Sequence, residues 1–182
     1  FNFEFIYNSK SIIIDPGVST YENNDSRKIE RSTEYHNTIR INKSNSSEVW
    51  DIFKVGNRAN VIEIIEGDNY LKATHNGYKN IGVFHQRKFN LLDDSFLIED
   101  KVDFKKNKYL IESYLHFHPD CNIYLDNNII RVDKKIVINL NGYTNIKIID
   151  FKFPLGFNKT INSKKISAVV LPESSIEINY EN

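Results

Sequence analysis

The sequence predicts an all-β protein, an antiparallel two-sheet β-sandwich. Three observations predict it. Apolar residues recur every second position through most of the chain, which puts alternate side chains on opposite faces of a strand. The apolar runs are rich in β-branched and aromatic residues and are bounded by Asn, Asp, Gly and Ser, the residues of turns. No window of about 11 residues carries a convincing helical period.

The elements follow in order. "FNFEFIY" puts Phe1, Phe3, Phe5 and Tyr7 on one face. "SIIIDPG" is an apolar strand closed by Pro16 and Gly17, and "NTIRIN" starts another directly after His36. "VIEIIE" follows at 61–66. "YLIESYLHFHP" aligns Tyr109, Ile111, Ser113, Leu115 and Phe117. "IVINL", "NIKIIDFKF", "ISAVVL" and "SSIEINYE" complete the series, the last aligning Ile176, Ile178 and Tyr180. Turns are expected at "DPG" (15–17), "HNGY" (75–78), "LDD" (92–94), "LDNN" (125–128) and "NGY" (141–143). More than a dozen short strands broken this often indicate a sandwich. No linker, repeat or low-complexity tract divides the chain, so residues 1–182 read as one domain.

Composition narrows the function. A chain of 182 residues can bury one real core. Lys+Arg and Asp+Glu both number 24, so the formal net charge is zero. Phosphate neutralisation leaves a basic bias, so nucleic acid is not the expected partner. A local cluster can still serve an acidic ligand without moving the total. The single cysteine, Cys121, rules out an internal disulfide and leaves the compartment open. No run reaches the roughly 20 apolar residues of a membrane span, so no membrane partner is expected. The chain opens directly in strand-like "FNFEF" without a Met and is expected to be a piece of a longer protein.

The candidate chemistry centres on Asp15 and His36. Asp15 sits at a strand-to-turn corner set by Pro16 and Gly17, and His36 sits at the start of a strand. Both occupy strand ends, where side chains can meet on a shared rim. A carboxylate oxygen and an imidazole nitrogen are standard zinc ligands at about 2.0–2.2 Å. Two ligands are too few for a structural zinc, so others would come from elsewhere. The plain alternative is that Asp15 caps its turn and His36 donates to a carbonyl. His116 and His118, in "HFHP", share a strand face and could pair on a metal. Their simpler reading is a polar outer face with Phe117 turned to the core. Structural roles are expected for His75 and His85, and "KKNK" (105–108) reads as a solvated turn. No Gly-rich phosphate loop, nucleophile elbow or cysteine metal motif is present.

Taken together, "SIIIDPGVSTYE", "RSTEYHNTIRIN", "SEVWDIFKVGNRA", "THNGYKNIGVFHQRKF" and "YLIESYLHFHPD" resemble, in that order, the C-terminal domain of the heparinase II/III-like polysaccharide lyases. The likeness runs over nearly the whole chain, and the "DPG…STxxHNT" pair is its most specific part. It implies a C-terminal sandwich joined to an N-terminal α/α toroid, with the active site between them. It implies cleavage of uronic-acid-containing glycans, from heparin-like chains to alginate, by β-elimination. It also implies a zinc ion held by a His-x-His pair, an Asp and a further His. Asp15 and His36 match the last two, and the His-x-His pair would precede Phe1. The base and acid are expected on the toroid, so no catalytic residue is assigned in this chain. Tyr21 of "STYE" matches a tyrosine lining the cleft and is assigned to substrate binding. The implied partners are an acidic polysaccharide and the chain's own toroid. The implied location is the periplasm, cell surface or extracellular space of a bacterium. Two other readings stay open: a non-catalytic carbohydrate-binding or scaffolding sandwich, and a protein that trims a surface glycan during its biosynthesis.

Overall fold

The computed structural model describes residues 1–104 and 109–180. The expected turn at "KKNK" lies outside the described residues. Twelve strands account for most of these residues, and every strand pair is antiparallel. Strands β1 (Phe5–Tyr7) and β2 (Lys10–Ile13) form a two-stranded ribbon. A short helix, α1 (Asp25–Glu30), and a 3-10 turn (Thr33–Tyr35) lead into β3 (Ile39–Ile41). The rest are β4 (Val61–Gly67), β5 (Tyr70–His75), β6 (Val83–Leu91), β7 (Ser95–Phe104), β8 (Ile111–His116), β9 (Ile123–Asp126), β10 (Ile129–Val132), β11 (Ile136–Gly156) and β12 (Lys159–Tyr180).

The last hairpin builds the sandwich. The C-terminal half of β12, Glu173 to Asn179, pairs with β7, which carries β6, β5 and β4 beyond it. The N-terminal half, Lys165 to Val169, pairs instead with β8, which carries β3. The hairpin therefore belongs to both layers and changes layer at register shifts between Asn141 and Lys147. Gly142 sits at the first of these with φ of 77°. A β-carbon there would approach Glu173 O to 2.8 Å, so the bend needs glycine. This corrects two expectations. "NGY" is a bulge within a strand, not a chain reversal, and the four final runs are two strands of 21 and 22 residues rather than short ones.

Burial follows the alternation read in the sequence. Ile136, Ile138 and Leu140 on β11, and Ile166, Ala168, Val170, Ile176 and Ile178 on β12, all enter one core with Ile12, Ile13, Ile39, Ile41 and Phe117. Phe3 is buried and Phe5 and Tyr7 pack on the same core, although only Phe5–Tyr7 of that stretch is strand. A smaller cluster of Ile14, Tyr35 and Phe151 lies apart. Helix α1 was not expected. At six residues it is too short to show a period, and it begins because the Asn24 side chain accepts a hydrogen bond from Arg27 N–H at 3.0 Å. No described helix is long and apolar enough to cross a membrane.

Candidate functional site

Asp15 follows β2 by two residues. The backbone there is pinned by Ile14 N–H donating to His116 O at 3.0 Å, and Asp15 N–H donates to Glu4 Oε1 at 3.2 Å. His36 ends the 3-10 turn in an extended conformation just before β3. The two side chains meet: His36 Nδ1 and Asp15 Oδ1 are 2.7 Å apart, with the side chains 34% and 32% exposed. They face a hollow of about 330 Å³ bordered also by Thr33, Ser46, Phe1 and His75. His36 thus takes a carboxylate as partner, where the plain alternative had it donating to a carbonyl.

Asn37 holds this arrangement. It is fully buried. Its Nδ2 donates to Phe3 O and to Ile14 O, each at 2.8 Å. Its Oδ1 accepts from His116 N–H at 2.7 Å and from His116 Nδ1 at 3.1 Å. Its own N–H donates to Asn2 Oδ1 at 2.8 Å. One side chain therefore ties the entering chain, the residue before Asp15, and β8 to the residue after His36.

Beneath the hollow lies a buried polar chain set by strand register. His75 stands opposite His85 across β5 and β6, and Arg87 stands opposite Asp100 across β6 and β7. Gly77 N–H donates to His75 Nδ1 at 3.0 Å, so the His75 proton sits on Nε2. That proton is donated to His85 Nδ1 at 3.1 Å, and His85 Nε2–H is donated in turn to Asp100 Oδ1 at 2.6 Å. Arg87 grips both Asp100 oxygens at 2.7 Å and sends Nη1 to Asn37 O at 2.7 Å and Phe1 O at 2.6 Å. Burial alone would raise the Asp100 carboxyl, but the Arg87 charge and the His85 hydrogen bond outweigh it and hold it below its ordinary range. Burial first, and the neighbouring His85 second, push His75 down to about 3. Burial likewise lowers His85, against the pull of Asp100. Both imidazoles are neutral and the Arg87–Asp100 pair is charged.

The other sequence candidates fall elsewhere. His116 and His118 do share a face, but it is not a polar outer one. His116 is fully buried, with Phe151 at 4.9 Å and Tyr35 at 5.6 Å between ring centroids. Burial pushes it well below its ordinary pKa, and its Nε2 is buried without a partner. His118 lies against Phe153 on the same covered side. The long strand β11 covers this face with Phe151 and Phe153, which alternation alone did not reveal. Phe117 is in the core, as expected. Tyr21 is not among the residues around Asp15 and His36. It is 57% exposed and stacks on Phe53 at 6.2 Å, with the Arg27 guanidinium 5.1 Å from its ring.

The donor set of Asp15 and His36, one oxygen and one nitrogen, has the chemistry of a zinc site. Among the described residues no group of three or more His, Cys, Asp or Glu side chains converges. The pair fits zinc as part of a coordination sphere.

Comparison with known proteins places these features in a family. The family described as Heparinase II/III-like, C-terminal, matches residues 1–175. Among solved structures, the heparan sulfate lyase HepC from Pedobacter heparinus superposes with a TM-score of 0.75 at 18% identity, covering 100% of this chain and 30% of that one. A mutant of that lyase gives 0.76 at 17%. The heparinase III BT4657 gene product gives 0.73 at 18%, covering 98% of this chain and 29% of that one. At such identity the likeness establishes the fold, and this chain spans about three tenths of those proteins' lengths. A search of curated proteins finds no match.

Proposed function

The chain belongs to the Heparinase II/III-like, C-terminal family, and from that premise we propose that it is the sandwich part of a polysaccharide lyase acting on uronic-acid-containing glycans by β-elimination. The observation that carries the reading is the meeting of Asp15 with His36 at 2.7 Å on the rim of an open hollow. An imidazole and a carboxylate, each about a third exposed at the edge of an open hollow, are placed to share a ligand. Asp15 and His36 would hold a zinc ion together with ligands from a preceding segment. Bound there, zinc would order the loops that present the cleft wall.

The chemistry assigns this chain a supporting part. β-Elimination removes the C5 proton next to a uronate carboxylate, whose negative charge must first be neutralised. A base takes that proton and an acid protonates the leaving oxygen. Preorganised donors stabilise the developing charge. As zinc ligands, Asp15 and His36 would act as neither base nor acid. Those groups would belong to a helical toroid preceding Phe1. Such an enzyme would work in the periplasm or at the cell surface, where acidic polymers are met. A second reading, a non-catalytic carbohydrate-binding or scaffolding sandwich in a glycan-biosynthesis protein, is favoured by the exposed rings of Trp50 and Phe53. Sugars stack on such rings.

The test uses the longer protein that contains this chain. Incubated with heparan sulfate, alginate and other uronate polymers in the presence of zinc, it is expected to release unsaturated products read by ultraviolet absorbance. Asp15→Ala and His36→Ala are expected to lower the rate and the bound zinc together. No unsaturated product from any acidic glycan would overturn the lyase reading.

A further inference from the structure

Consecutive residues Asn45 and Ser46 border two different hollows. Ser46 borders the one at Asp15 and His36. Asn45 borders another, of about 230 Å³, with Arg27, Lys28, Arg31, Asp51 and Trp50 around it. The two hollows are therefore neighbours, joined by Thr33, which donates to Asn45 Oδ1 at 2.8 Å and accepts from Ser46 N–H at 2.9 Å.

The second hollow carries positive charge that the described residues do not pair. Arg27 is 7% exposed and makes no ion pair among them. Its Nη2 donates to Ile52 O at 3.3 Å, while Nε and Nη1 are buried without an acceptor. Its guanidinium lies 5.1 Å from the Tyr21 ring and 6.0 Å from the Phe53 ring. Aromatic faces stabilise the charge but leave those N–H groups unused. Arg31, one turn later, sends Nη2 to Lys54 O at 3.4 Å, and its Nη1 is also buried without an acceptor. Lys28 is taken by Asp25 at 3.2 Å. Exposed Asp51 is the acidic residue among those around this hollow and offsets the two guanidiniums from the rim. Native structures rarely leave several neighbouring buried donors without an acceptor, and water, an ion or a ligand usually supplies one.

The segment to which both arginines donate carries exposed aromatic rings. Residues 48–57 fold back on themselves, with Trp50 N–H donating to Lys54 O and Gly56 N–H to Glu48 O. Trp50 and Phe53 stand at the tip, 66% and 68% exposed. The indole lies over Gly56, where a β-carbon would sit 2.5 Å from the ring. A guanidinium fork beside a flat exposed ring is the chemistry that takes an oxyanion carried on a sugar. The fork accepts carboxylate or sulfate through paired hydrogen bonds, and the sugar's C–H face stacks on the ring.

We propose that Arg27, Arg31 and Trp50 form a subsite for the carboxylate or sulfate of an anionic sugar residue, adjoining the hollow of Asp15 and His36. Arg31, half-buried on the rim, turns its free Nη1 into the hollow as the anion enters. The choice of a sugar as carrier of the anion rests on the glycan reading above; the anion selectivity rests on the arginines alone.

Trp50 is the only tryptophan in the chain, so its fluorescence reports on this hollow alone. The chain is titrated with glucuronate, glucose 6-sulfate, glucose and inorganic sulfate. A saturable change is expected with glucuronate, glucose 6-sulfate or both, and the stronger of the two identifies the anion. Glucose should give none, and added salt should weaken the response. Arg31→Gln is expected to weaken binding about tenfold or more, and Arg31→Lys several-fold, because lysine keeps the charge but not the fork. An unchanged melting transition in both variants shows that they fold. No saturable change with either anionic sugar, an equal response to glucose, or unaltered binding by both variants would overturn the subsite. An equal response to inorganic sulfate would remove the sugar from the proposal. The titration needs no turnover. Binding here without lyase activity in the longer protein removes only the lyase reading, and activity without binding removes only the subsite.

Discussion

Replacing Asn37 by alanine removes the side chain that draws the Asp15 and His36 segments together. Four side-chain hydrogen bonds disappear: those to Phe3 O, Ile14 O, His116 N and His116 Nδ1. The site is fully buried, so the groups left behind gain no ready access to water. Each buried polar group without a partner costs about 1–3 kcal/mol. Partial relaxation keeps such losses from adding in full, so the expected cost is roughly 3–5 kcal/mol. For a chain of 182 residues that corresponds to a melting shift of roughly 10 °C. Asn37→Asp should be at least as harmful, because it turns an acceptor oxygen towards two carbonyls. Urea unfolding followed by circular dichroism measures the loss. A change below about 1 kcal/mol for Asn37→Ala would show that the network is not held by this residue, and the account of how Asp15 meets His36 would fail.

Acid should weaken the fold through the buried imidazoles. The folded pKa of His75 is lowered from 6.5 to about 3, so its contribution is complete above pH 6.5 and is lost as pH falls towards 3. Between pH 7 and 5 His75 alone should cost about 2 kcal/mol, with His85 and His116 acting in the same direction. Urea unfolding at the two pH values should show the drop, and His75→Gln should reduce it; equal stability at both would refute the neutral assignment. Gly142→Ala should cost roughly 1–2 kcal/mol, because it combines a positive φ with a contact of 2.8 Å to Glu173 O. Thermal unfolding reads it, and a neutral effect would mean the bend does not need glycine.

What the residues disclosed, and what they did not, divides along a physical line. Alternation is local, so it revealed strands such as β8, β11 and β12 and inward faces such as Ile136, Ile138 and Leu140. Strand length was hidden because the bulge at Gly142 has the composition of a turn. Asp15 and His36 were legible as strand-end residues of metal-ligand type, and the structure does bring them together. Their support was not legible. Asn37 read only as the first residue of "NTIRIN", yet it is fully buried, because its bonding depends on which segments cross beside it. His75 and His85 were visible as single histidines with structural roles, and Arg87 and Asp100 drew no notice at all. Their chain exists only through the register of β5, β6 and β7, which no single segment specifies. His116 was misplaced for a related reason: alternation gives the side of the strand but not whether a second layer covers it.

The network further implies that a change deep between β6 and β7 reaches the rim. Arg87 Nη1 bonds both Phe1 O and Asn37 O, so the ion pair with Asp100 and the Asp15–His36 meeting share one guanidinium. Asp100→Asn leaves Arg87 charged, buried and uncompensated, at a cost of about 3–5 kcal/mol. Arg87 should respond by drawing away from Asn37 towards water, carrying the strand start with it. The ring signals of His36 in a nuclear magnetic resonance spectrum should therefore move in Asp100→Asn, although Asp100 does not touch His36. Ile176→Val, a fully buried change elsewhere in the core, should destabilise the fold by about 1 kcal/mol and leave those signals in place. Contact through hydrogen bonds predicts this difference, whereas general loosening of the sandwich predicts movement in both variants. Equal shifts in the two, or none in either, would break the link between the buried pair and the rim.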